Sequence, residues 1–278
     1  MKKGLKGSLA ALALATLALS ILPATVMAQQ QTERPERLGG KPNLNGIWRV
    51  MNSANWNLEP HNSEGIDQFW QLGALAAIPA GKGVVEGGEI PYLPEALEQR
   101  NKNRASWPKG DPETNCYLPG IPRATYMDHA FQIVQPGAGD IYMAYEYHST
   151  NRMIRMNYTE LPPIDTWMGE SRGKWDGDTL VVETSGFNGK TWLDRSGNFF
   201  SSSAVVTERF ESIDDSHIRY EATIEDPNTF SRPWTISMVL YRDIDPNAEL
   251  MDFRCVPFVE ELFYHDLNEA AGASGKDQ

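Results

Sequence analysis

Between Phe131 and Cys255, apolar and polar residues alternate in nine short runs with turn-forming residues between them. The runs are 131–135, 140–147, 152–157, 169–175, 178–184, 204–211, 217–225, 232–242 and 249–255, and the joints include PGAGD, DGD, DDS and DPN. A period of two sends successive side chains to opposite faces of a strand. Gly, Asp, Asn and Pro at the joints suit tight turns. A further run at 45–50, around GIWRV, brings the expected strands to ten. No helical pattern of useful length interrupts the series from 131 onward, which excludes a parallel βαβ architecture. A meander of this size leaves no bare edge if it closes on itself. The expected fold is therefore all-β: an antiparallel up-and-down barrel of about 8–10 strands, with a two-sheet sandwich as the alternative.

Residues 52–125 differ. They are rich in Gly, Pro and Asn, with one helical piece at LPEALEQRNKNRA that places Pro94 at the first helical position. A loop-rich stretch of this length in a compact domain packs as a lid or carries function. It reads as a cover segment within a single β-barrel domain at 44–257, not as an independent domain. Residues 29–43 are polar and without periodicity, and so read as a flexible lead. Residues 258–278 read as a short amphipathic helix and a disordered tail.

The N-terminus has Lys2, Lys3 and Lys6, an apolar run from Leu9 to Leu22, and then VMA. This is the pattern of a cleavable signal peptide, with cleavage expected after Ala28. The apolar run falls short of the roughly 20 residues that span a bilayer. A soluble chain in the periplasm or outside the cell is expected. Removal of the three leader lysines takes the net charge from −12 to −15 (22 basic against 37 acidic residues). Such a surface repels phosphate backbones and anionic membranes, so neither nucleic acid nor a membrane is an expected partner. Two cysteines, Cys116 and Cys255, remain in the exported chain. In an oxidising compartment the pair reads as one disulfide, with two free thiols as the alternative.

Sorting side chains by face gives the candidate chemistry. In GKWDGDTLVVETSG, Trp175, Gly173, Leu180, Val182 and Thr184 share one face, the expected core side, while Glu183 and Arg172 share the wet one. Asp176 and Gly177 are expected as the central turn residues. In the run 204–211, Glu208 shares a face with Val206 and Phe210 and so points inward. A buried carboxylate needs a partner or a raised pKa. Arg152, on the face of Ile154 and Met156, can neutralise Glu208 or Glu146. The acid–base candidates are Glu208, Glu146, His148 and Asp194, with Arg152 as a charge stabiliser. The long connection 187–203 holds Trp192, Asp194, Arg195 and Phe199. With Trp167 and Tyr145, these form a candidate aromatic ligand gate at a barrel mouth, or a hydrophobic plug for it.

No HxH or HExxH spacing, nucleophile elbow or phosphate-binding glycine loop occurs, and no cofactor is expected.

The blocks CYLPGIPR (116–123), FQIVQ (131–135), YEYHSTNR (145–152), TWMGESRGKWDGDTLVVETSGFNGKTWLDRSG (166–197), VVTERF (205–210), TIEDPNTFSRPWT (223–235) and ELMDFRC (249–255) resemble a large family of uncharacterised secreted bacterial proteins of lipocalin-like, calycin-type barrel character. Many relatives carry a His-Ser-Asp-like triplet before the ERF strand. This chain has Phe200-Ser201-Ser202-Ser203 there, so no role of that histidine transfers. The resemblance implies export, a barrel and the Cys116–Cys255 pair, and it implies no activity.

Two functions follow from these residues. The first is binding of a small apolar or aromatic molecule in the barrel interior, in keeping with eight Trp, ten Tyr and ten Phe. The alternative is a cofactor-independent lyase, isomerase or hydratase acting on a small aromatic or terpenoid-like substrate in the same cavity. A cavity-free envelope module is the third and blandest reading.

Overall fold

The computed structural model describes residues 36–66 and 77–257, with Val259. The leader expected at 1–28 lies outside these residues, as do the helix and tail expected at 258–278, Val259 apart.

The chain starts as a small hairpin, β1 (Arg37–Leu38) and β2 (Lys41–Pro42), followed by β3 (Gly46–Val50). The described end of the expected flexible lead is thus ordered. Asn43 is buried, and Arg37 donates to both oxygens of Asp178 from Nη1 and Nη2, at 3.0 and 2.6 Å. A local composition reading misses this because the partner is 141 residues away.

After β3 come β4 (Glu64–Gly65), β5 (Ala77–Ile78), α1 (Pro94–Ser106) and α2 (Arg123–Tyr126). The remaining strands are β6 (Phe131–Val134), β7 (Ile141–Tyr145), β8 (Asn151–Met156), β9 (Glu170–Asp176), β10 (Thr179–Ser185), β11 (Val205–Asp214), β12 (His217–Glu225) and β13 (Trp234–Arg242). Strands β3 and β6–β13 form a closed barrel of nine strands in sequence order, β13 returning to β3.

Two expectations are corrected here. Residues 249–255 form no strand, and the barrel is mixed, because β8 and β9 run parallel with Ile154 opposite Ser171 and Met156 opposite Gly173. The corrections are linked. A ring of strands can alternate direction throughout only if their number is even, so nine strands require a parallel pair. It falls at the 157–169 connection, which carries the chain back to the starting end before β9 begins. The 249–255 segment instead crosses the rim. The Met251 N–H donates to Glu146 Oε1 at 3.0 Å, Phe253 packs on His129 and Tyr147, and Cys255 is bonded to Cys116.

The barrel wall also borrows backbone from the cover segment. β3 pairs β13 only over Leu240–Arg242. Further along β13, the Glu86 N–H donates to the Thr235 carbonyl and the Ser237 N–H to the Val84 carbonyl, both at 2.9 Å. The cover chain therefore satisfies polar groups that the β13–β3 splay would leave open. Inside, Trp48, Phe131, Ile154, Phe210, Tyr220 and Leu240 are all at most 1% exposed.

The β9–β10 hairpin keeps the expected faces but not the expected register. Trp175 lies opposite Leu180 and Asp176 opposite Thr179, so Gly177 and Asp178 are the central pair. Gly177 takes φ +61° at the first central position, which glycine adopts without a Cβ penalty. The two-residue shift preserves side-chain parity, so the oily and wet faces stay as read.

Candidate functional site

Three places gather the candidate residues. The first is inside the barrel. Arg152 donates to both oxygens of Glu208, with Nη1–Oε1 at 3.2 Å and the Nη2–Oε2 contact closer. Its Nε donates to Ser171 Oγ at 2.7 Å and its Nη2 to Thr184 Oγ1 at 2.9 Å. The Tyr220 hydroxyl donates to Glu208 Oε1 at 2.9 Å. Glu208 is 0% and Arg152 4% exposed. Burial, reinforced by the charge of Glu208, pushes the Tyr220 hydroxyl well above the ordinary tyrosine range. Burial likewise raises Tyr145, against the pull of the Arg152 charge. The alternation that turned Glu208 inward also delivers Arg152 and Thr184 to the same layer. The result is a closed, mutually satisfied network.

His148 and Glu146 do not join it. His148 sits exposed in a 3-10 turn (Tyr147–Ser149) with φ +54°. Glu146 follows the end of β7 and spends its oxygens on backbone, accepting the Ala130 N–H at 2.9 Å as well as that of Met251. It ties the rim to the last segment.

The second place lies beneath the cover segment. Arg123 makes a two-pronged contact with Asp111 at 2.8 and 3.0 Å, and reaches Glu113 Oε2 at 2.5 Å. Arg195 makes a second two-pronged contact with Glu113, at 2.9 and 2.7 Å. Asn55 accepts from Arg123 Nε at 3.0 Å. Burial opposes ionisation of Glu113, but the charges of Arg195 and Arg123 and the hydrogen bonds from Arg195 and Asn55 outweigh it, leaving its pKa at about 2.

Asp194 is fully buried. It accepts the N–H groups of Leu58 (2.8 Å), Ser196 (2.9 Å) and Asn198 (3.2 Å), and the Asn198 side-chain amide at 2.6 Å. Burial lifts its pKa to about 6, partly offset by those hydrogen bonds and the charge of Arg123. Asp194 thus organises the 194–198 turn and ties it to the cover.

The expected exposed gate is largely closed. Trp192 is 7% exposed and bridges to Phe199 across this turn, while Phe199 stacks on Tyr92. Trp167 stacks on Tyr117 with ring centres 4.8 Å apart.

The third place is open. A cavity of about 220 Å³ is lined by Trp56, Trp107, Ile66, Ile78, Arg195 and neighbours in the cover segment. The Trp56 and Trp107 rings form a tilted corner, with centres 6.1 Å apart and planes at 58°. The Arg195 guanidinium lies over Trp56 at 4.3 Å. Of the gate residues read from the sequence, Arg195 alone lines this cavity. Trp56, Trp107 and Arg104 were missed, as was the Asp111–Glu113–Arg123 cluster. All lie in the cover segment, where Arg104 falls on the helical piece but nothing in the sequence marks which neighbours its face meets, and no period sorts the others by face. The only local signal was the density of Trp, Arg and acid in a stretch too long for a passive loop.

Among the described residues, no group of three or more His, Cys, Asp or Glu is placed to hold a metal ion. The sequence matches no protein-family model, and no curated protein matches it significantly.

Proposed function

We propose that this chain is an exported β-barrel protein that binds a small apolar or aromatic molecule, and that the molecule sits in the Trp56–Trp107 corner beneath the cover segment. This moves the seat from the barrel interior to the cover. The observation that carries the reading is the open, tryptophan-walled cavity with Arg195 stacked on one wall. Its walls set Trp56, Trp107, Ile66 and Ile78 beside Glu64, Arg104, Arg195 and Ser196, so ring surface and polar groups are offered together. The interior supports the shift, since its central positions are filled by Trp48, Phe131, Phe210 and Tyr220 and by the Arg152–Glu208 pair. Export is part of the same proposal, together with membership of the secreted lipocalin-like family that the sequence resembles. The Cys116–Cys255 bond supports it, because such bonds persist in oxidising compartments.

The acid–base alternative has less support. Glu208, its best acid, is 0% exposed and bound to Arg152 and Tyr220.

The test is titration of the purified protein with 2-naphthamide, a neutral flat aromatic, followed by tryptophan fluorescence and calorimetry. Saturable one-to-one binding is expected. It should weaken at least tenfold in Trp56→Ala and in Trp107→Phe, with unfolding midpoints within a few degrees of the parent. Binding that survives both substitutions unchanged would place the seat elsewhere.

A further inference from the structure

A second cavity, of about 430 Å³, adjoins the first and shares Glu64 and Arg104 with it. Its other walls include Asn57, Glu59, His61 and Arg100. Three cations therefore line the two cavities, and they differ in how firmly they are held. Arg195 is committed to Glu113 by a two-pronged pair and is only 22% exposed. Arg100 donates to Glu59 at 3.0 Å and to Asn198 at 3.2 Å, with both ends of the Arg100–Glu59 pair mostly covered. Arg104 is different. Its one hydrogen-bonded ion pair among the described residues is to Glu64 at 3.2 Å, with side chains 49% and 62% exposed. An exposed pair of this kind contributes about 0–1 kcal/mol and exchanges readily.

We infer that the two cavities form one site for a planar aromatic carboxylate, its ring against Trp56 and Trp107 and its carboxylate taking Arg104 from Glu64. This rests on the small-molecule reading above and names the ligand class. Arg195 and Arg100 are matched by Glu113 and Glu59 in covered pairs, so Arg104, with its exposed pair to Glu64, is the cation open to an incoming anion. Glu113, which already neutralises Arg195, is held ionised behind it. A guanidinium presents two parallel N–H donors that match a carboxylate, so the incoming acid replaces Glu64 with equal or better geometry. Arg104 also has room for the exchange, because it lies in the last turn of α1 with its side chain half-exposed.

The test compares 2-naphthoate with 2-naphthamide at neutral pH, where they differ chiefly in charge. The parent protein is expected to bind the acid at least tenfold more tightly. Arg104→Gln should remove that preference, bringing naphthoate down to the affinity the same variant shows for naphthamide. Glu64→Gln, which frees Arg104, should tighten naphthoate several-fold; a purely structural Arg104–Glu64 pair would not produce this. Higher salt should weaken naphthoate and spare naphthamide. Equal binding of the two probes, or an Arg104→Gln protein that still prefers the acid, overturns the carboxylate class while the aromatic seat stands. Failure of both probes to bind overturns the seat itself and this inference with it.

Discussion

Glu208 and Arg152 each satisfy the other in a buried layer of the barrel, and the energetic consequence is asymmetric. Removing one partner strands the other as a buried charge, at a cost of about 3–5 kcal/mol, whereas replacing both by apolar residues of similar volume is far milder. Glu208→Gln is therefore expected to lower stability by that order in urea unfolding, and Glu208→Leu with Arg152→Met to recover most of it. A Glu208→Gln protein as stable as the parent would show that the carboxylate is not structurally engaged.

The carboxylates under the cover make stability depend on pH in two opposite senses. Glu113 has a folded pKa of about 2, below its ordinary 4.5, so its contribution is present above pH 4.5 and is lost as pH falls from 4.5 through 2. Asp194 has a folded pKa of about 6, above its ordinary 3.8. The native state then holds a proton that the unfolded chain has released, and stability rises as pH falls from 6 towards 3.8. Melts between pH 7 and 2.5 should show stability rising first and then falling steeply. Asp194→Asn should abolish the rise and keep the acid loss.

At the level of elements, two glycines with positive φ show how differently the same backbone demand is met. Gly177, at φ +61°, stands in open space at the tip of the β9–β10 hairpin. Gly197, at φ +82°, faces α1 so closely that a Cβ would lie 2.6 Å from the Arg104 nitrogen and 2.7 Å from Asn103 Cβ. Asn103 Nδ2 also donates to the Gly197 carbonyl at 3.1 Å. Gly177→Ala is expected to cost about 1 kcal/mol, the backbone penalty alone. Gly197→Ala should cost clearly more, because the turn must also move off the helix. Chemical denaturation of the two variants checks the ranking. The hairpin was legible in the sequence because alternation and a DGD turn are local, although the central pair is Gly177–Asp178 and not the expected Asp176–Gly177. The Gly197 contact was not, because its partner lies more than 90 residues earlier and no pattern marks which face of α1 the turn meets.

For the whole molecule, closure of the ring is decisive. The alternating runs announced a barrel, but the parity of the ring depended on whether 249–255 joined it. Phe253 packs against His129 and Tyr147 instead, and the Glu146 contact and the disulfide hold the segment at the rim. The Cys116–Cys255 bond spans 139 residues, which the chain-entropy model values at about 4–5 kcal/mol. The Cys116→Ser, Cys255→Ser protein, or the parent in reductant, should melt well below the oxidised parent, and an unchanged melting temperature would show that the rim contacts suffice alone. The sequence by itself determined the strand periods, the inward turn of Glu208 and Arg152, the cysteine pair and the existence of a cover segment, because these follow from local alternation and residue chemistry. Only the tertiary structure decided the parallel β8–β9 pair, the burial of Asp194 and Trp192, and the meeting of Trp56, Trp107 and Arg195. Each of these depends on which distant surfaces face one another once the ring closes, and a period of two carries no information about that.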